Sequence, residues 1–188
     1  MSNKKILVVS ISLIILISTP VSASMLSIGQ DNYNVKVSNF SPFSHPFDIS
    51  LISVGYGQDK YSGFAADVFS ADNTSGLEIE YQFVPQNMQD QKKSFNYAAK
   101  IGAVTGDFWD KDATGLKIGF VIENKIDLER EVYFEADIIN SSGLVIDSEI
   151  GFCGRFSKGV MGMLGYKITT HEDNETIEGT HYGIKVDF

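Results

Sequence analysis

The chain has 188 residues, with 15 lysines and arginines against 24 acidic residues and a single cysteine. That acidic balance excludes nucleic acid as a natural partner, because a phosphate backbone repels a surplus of carboxylates. One cysteine cannot form an intramolecular disulfide, so packing and hydrogen bonding have to hold the fold together.

The first segment, "MSNKKILVVSISLIILISTPVSAS", places Lys4 and Lys5 ahead of an apolar run from Ile6 to Ile17 and ends at Val21-Ser22-Ala23. A basic start, an apolar run too short to span a bilayer and small residues before the break are the layout of a cleaved export signal. Residues 1–23 are therefore expected to be removed, leaving one domain over 24–188. With Lys4 and Lys5 gone, 13 basic residues face 24 acidic ones, a net charge of −11. A retained anchor is the alternative, and Pro20 argues against it.

Beyond the leader, apolar residues recur at every second position in short segments, the period of a strand rather than a helix. Taken in order, these are Tyr33, Val35 and Val37; Ile52, Val54 and Tyr56; Phe64, Ala66 and Val68; and Leu77, Ile79, Tyr81 and Phe83. Next come Phe95, Tyr97, Ala99, Ile101 and Ala103; Leu116, Ile118, Phe120 and Ile122; and Val132, Phe134, Ala136 and Ile138. Ile146, Ile150, Phe152 and Phe156 follow, then Val160, Leu164, Tyr166 and Ile168, and last Tyr182, Ile184, Val186 and Phe188. Turn-forming clusters such as "ADNTSG", "NSSG" and "SKG" separate them, with longer polar connections at "SPFSHPFD", "PQNMQDQKKS", "GDFWDKDAT" and "TTHEDNETIEG". The pattern predicts an all-β chain of about ten antiparallel strands, or eight if the residues before Tyr61 form a plug or an arm.

Alternation leaves open which face meets water. A soluble barrel or sandwich buries its apolar face, whereas a membrane barrel turns it toward lipid. The polar face here mixes glycines with opposite charges. Glu78, Glu80, Glu135, Asp137, Asp147 and Glu149 stand against Lys100, Lys117, Arg155, Lys167 and Lys185. Such a set suits a narrow, salt-bridged lumen. The end of the chain points the same way: Tyr182, Ile184, Val186 and Phe188 alternate up to a terminal aromatic, as in the closing strands that bacterial barrel-assembly machinery recognises. A free sheet edge is untenable in hydrocarbon, so a last strand of this kind has to close against the first. The expected fold is a closed antiparallel up-and-down transmembrane β-barrel.

The order "LISVGYG", "YSGFAADVFSADNTSGLEIEYQF", "VYFEADIINSSG" and the end "GTHYGIKVDF" resembles the YfaZ family of small bacterial outer-membrane proteins. The resemblance implies an outer-membrane barrel and brings no catalytic motif; the barrel reading itself makes membrane lipid and lipopolysaccharide the expected partners. Its departure is the insertion "SPFSHPFD", with two prolines, between the first two strands.

Candidates for chemistry are sparse. His171, Glu172 and Asp173 sit together in the last loop and read as a solvated loop rather than a general base or cation site. His45 reads as a loop residue, and His181 as a lumen residue near the rim. Trp109 suits a membrane interface. Cys153, next to outward Phe152, is expected to face the lumen. No nucleophile–base pair, cofactor motif or metal-ligand spacing emerges, so the chain is expected to be a non-enzyme without a cofactor. Three functions stay open: a structural or small-pore barrel preferring cations, a surface-binding barrel with acidic loops, and a soluble barrel holding a small apolar ligand.

Overall fold

The computed structural model describes residues 27–28, 31–44, 46–71, 74–86, 95–108, 111–112, 114–127, 129–141, 143–173 and 175–188. The leader, His45 and Trp109 lie outside these residues, as do most of the "PQNMQDQKKS" connection and Asn73, Ser142 and Asn174. Strands are the main elements of the described chain: β1 (Asn32–Pro42), β2 (Ile49–Asp59), β3 (Ser62–Ala71), β4 (Thr74–Phe83), β5 (Phe95–Phe108), a two-residue β6 (Lys111–Asp112), β7 (Gly115–Lys125), β8 (Arg130–Asn140), β9 (Leu144–Ser157), β10 (Val160–His171) and β11 (Thr176–Asp187). Ten of them pair antiparallel with their sequence neighbours, and β6 is an appendage on β5. β1 pairs with β11 from Asn34↔Asp187 to Pro42↔Gly179, so the sheet closes on itself without an edge. The count is ten. The eight-strand alternative fails because β1 and β2 are full members of the wall, held by nine residue pairs between them.

Strand parity turns the apolar face outward. Ile79 is 53 % exposed while its neighbour Glu80 is 5 % exposed, an inversion of the soluble pattern. One outward row runs Tyr81–Ile101–Ile118–Ile138–Ile146 across five strands by direct register. Tyr97, Phe120 and Phe134 form another, with ring centroids 6.4 Å and 5.8 Å apart. The spanning strands have 10 to 14 residues, enough to cross a hydrocarbon layer when tilted.

The C-terminus is tied down, as the alternation to the last residue requires. The Phe188 N–H donates to the Tyr33 carbonyl at 2.8 Å. Tyr182 and Ile184 face outward and are exposed, but Val186 on the same face is only 6 % exposed, flanked in register by Val35 and Val160. At the same end, the turn between β7 and β8 is pinned by Asp127, whose carboxylate accepts from the Glu129 and Arg130 N–H groups at 2.9 and 2.8 Å. The Arg130 guanidinium, with the Glu129 N–H, holds the Asp127 carboxyl below the usual carboxylate range.

Candidate functional site

The inner face is layered along the barrel axis. Across the middle, carboxylates and lysines meet between adjacent strands and across one intervening strand. Lys100 of β5 reaches Asp137 at 2.8 Å and Glu80 at 3.6 Å, and is bonded to Glu135. Lys117 of β7 reaches Glu80 at 2.9 Å and Asp137 at 3.0 Å, and is bonded to Glu78. Glu80 and Asp137 are thus shared between two ammonium groups. The register that sets this up places Gly119 between Lys100 and Asp137. A Cβ at Gly119 would stand 1.8 Å from Asp137 Oδ1, so only glycine leaves room for the ion pairs.

The opposite wall repeats the theme with fewer charges. Lys167 of β10 pairs with Asp147 of β9 at 2.6 Å, and the Thr169 hydroxyl donates to Asp147 at 3.0 Å. His181 Nδ1 lies 2.7 Å from Glu149 Oε2, and the Tyr133 hydroxyl donates to the other oxygen of that carboxylate. His181 therefore sits in the belt, 3 % exposed, rather than at the rim where the sequence placed it. Two further members, Lys36 of β1 and Asp67 of β3, attract one another and lie on the inward parity of strands whose sequence signal is their apolar side. Among the described residues the belt holds seven carboxylates (Asp67, Glu78, Glu80, Glu135, Asp137, Asp147, Glu149) and four lysines (Lys36, Lys100, Lys117, Lys167). Its formal balance, with each side chain given its usual charge, is three negative charges.

Above the belt, at the end bearing the β1–β2 and β10–β11 connections, the inner face is apolar. Phe40, Ile49, Phe69, Val104 and Ile177 form a buried collar, with Leu51, Ala71 and Ile139 packed against it. The alternation does carry these residues, at inward positions near strand ends such as "SNFSP" and "DVFSA", but they were hidden by the stronger outward pattern. Below the belt, Lys185 lies 3.4 Å from Asp187, and Tyr133, Cys153, Met161 and Met163 cluster together. Arg155 shares the inward parity of this basin, opposite Met161. Cys153 is completely buried, facing inward as expected.

The same end holds a feature absent from the sequence reading. Ser27 and Ile28 lie inside the barrel. The Ser27 N–H donates to Gln82 Oε1 at 2.8 Å, and the Asn34 side-chain amide donates to Ser27 Oγ at 3.3 Å. Ile28 packs on Ala98 and Val121, both inward-facing. A Cβ at Gly63 would lie 1.7 Å from the Ser27 carbonyl oxygen, so the wall is glycine where this segment touches it.

The last loop is arranged for structure. The Glu172 carboxylate accepts from the Leu144 N–H at 2.8 Å and joins it to the β8–β9 connection, while His171 Nδ1 lies 3.6 Å from Asp173.

No protein-family model matches the chain, and no curated protein matches it. Among solved structures it is similar to the KdgM porin, with a TM-score of 0.56 and 9 % identity over 82 % of this chain and 99 % of that one. The KdgM porin in complex with disordered oligogalacturonate gives 0.54 at 9 % identity with the same coverage. The N-terminal β-barrel domain of Pseudomonas aeruginosa OprF aligns over 85 % of this chain at a TM-score of 0.41 and 12 % identity. Identities this low make the KdgM likeness one of fold: a small, closed, all-antiparallel barrel.

Proposed function

We propose that the protein is a small-pore barrel of the bacterial outer membrane whose lumen favours cations. The observation that carries the reading is the belt: charges that a soluble protein would display outside are enclosed, and lipid-compatible residues form the jacket. The surplus of three carboxylates sets the sign of the preference, since a narrow charged lumen attracts counter-ions. Oligogalacturonate, named in complex with KdgM, is a polycarboxylate that this belt would repel. The outer-membrane location draws support from the strand lengths, the apolar jacket and the export signal read at 1–23. The closing strand with Tyr182, Ile184, Val186 and Phe188 supports recognition by barrel-assembly machinery. The order of segments supports a YfaZ-like protein. The acidic loops would face lipopolysaccharide, in keeping with divalent cations bridging the two.

The Ser27–Ile28 insertion favours a second reading, a barrel whose resting state is shut. Reversal potentials in planar bilayers under a salt gradient test both. A shift toward the potassium equilibrium potential supports the cation pore. A shift toward chloride contradicts it, and silence that persists after the insertion is displaced supports the structural barrel.

A further inference from the structure

Between the apolar collar and the charged belt lies a cavity of about 120 Å³, reaching up to His171 and Glu175 at the loop end. That volume equals roughly eight to twelve water positions, the size of a molecule with about ten non-hydrogen atoms. Its two ends differ in kind. Phe40, Phe69 and Ile177 offer apolar surface at one end, and Asp67, Asp137 and His181 lie toward the other.

The polar end has unmet hydrogen-bonding capacity. Asp67 Oδ1 and Asp137 Oδ1 are buried without a hydrogen-bond partner, although Asp137 already receives two lysines on its other oxygen. His181 is 3 % exposed. Its Nδ1 lies 2.7 Å from Glu149 Oε2, and its Nε2 is buried without a partner. The two aspartate oxygens can only accept a hydrogen bond. Carboxylates outnumber lysines along the cavity by seven to three. Buried acceptors beside surplus negative charge call for a ligand that brings several donors and a positive charge. Among the described residues no group of three His, Cys, Asp or Glu side chains is placed to hold a metal ion, and a bare ion would leave the collar unused.

We infer that this cavity binds a primary ammonium ion carrying a short apolar tail, with its N–H groups directed at Asp67, Asp137 and His181 and its tail among the collar side chains. The inference rests on the cation-favouring lumen and goes further, giving the lumen a selective site.

The test is calorimetry on the full barrel in detergent against a detergent-only blank, with 2-phenylethylammonium as the probe. Ethylammonium, 2-phenylethanol and 3-phenylpropionate serve as comparisons. Saturable binding of the probe is expected, at least tenfold tighter than any of the three. Asp67→Asn keeps shape and removes charge, and is expected to weaken the probe at least fivefold while leaving the heat-resistant barrel intact. Phe69→Ala should weaken the probe and leave ethylammonium unchanged. Equal binding of ethylammonium would reduce the site to simple charge attraction and overturn the inference, as would equal binding of the neutral alcohol or no binding at all. Conductance separates the two readings: a barrel that passes cations but ignores the probe sinks this site alone, while one that binds the probe but never conducts sinks the pore alone.

Discussion

Replacing Lys100 by methionine removes one ammonium group from the belt and little volume. Lys100 is in contact with three carboxylates, those of Asp137, Glu80 and Glu135, and its side chain is 1 % exposed. Each contact contributes about 4 kcal/mol at an effective dielectric near 20, offset by desolvation and by repulsion among the carboxylates. What survives in the variant is a set of buried charges with one counter-ion fewer, and breaking such a pair costs about 3–5 kcal/mol. Urea unfolding in detergent micelles, followed by the loss of compact migration on gels, reads this directly. Adding Glu135→Gln to the same variant removes one of the uncompensated charges and should restore part of the loss. The exposed pair Arg130–Asp127 is the control, and Arg130→Met should leave the midpoint where it was. If Lys100→Met costs less than about 1 kcal/mol, the belt is hydrated like a surface and the enclosed network described above is wrong.

Four other outcomes follow from the geometry. Gly63→Val places side-chain atoms where the Ser27 carbonyl stands, so residues 27–28 should leave the lumen; higher conductance and faster proteolysis near Ser27 would show it. Phe134→Lys, halfway along β8 on the outward face, should cost about 2–4 kcal/mol in lipid, measured by the same unfolding titration. Deleting Phe188 breaks the 2.8 Å bond to Tyr33 and should slow assembly in cells, seen as a smaller heat-modifiable fraction. Cys153 should resist maleimide in the folded barrel and react fully once the protein is boiled in SDS, because it is completely buried.

Much of the architecture was legible because a strand has a period of two and this chain keeps it for ten strands. "GLEIEYQF" gives Leu77, Ile79 and Tyr81 outward and Glu78, Glu80 and Gln82 inward with no further information, and β4 adopts that arrangement. The terminal aromatic revealed a closing strand for the same reason. What the pattern could not give is depth. Phe40, Phe69 and Ile177 have the parity of the lumen, yet they are apolar because they lie beyond the belt, where the inner wall needs packing rather than ion pairs. Nor could it pair Lys100 with Asp137 rather than with another acid, since that follows from the register of β5, β7 and β8. Lys36 and Asp67 leave little signal in the sequence because each is a lone charge in a strand otherwise uncharged on its inner face. The Ser27–Ile28 insertion has no periodicity at all. Its only trace is glycine at positions 55 and 63, one strand apart and both against Ser27.

The central claim is that this sheet faces lipid with its apolar side and encloses its charges. Spin labels placed one at a time at positions 77 to 82, in a Cys153→Ala background reconstituted into lipid vesicles, address it directly. The account requires collisions with oxygen dissolved in the bilayer to peak at 77, 79 and 81 and to drop at 78, 80 and 82. The opposite phase, or a flat profile with equal access for a water-soluble relaxant at all six positions, would contradict it and return the chain to the soluble barrels.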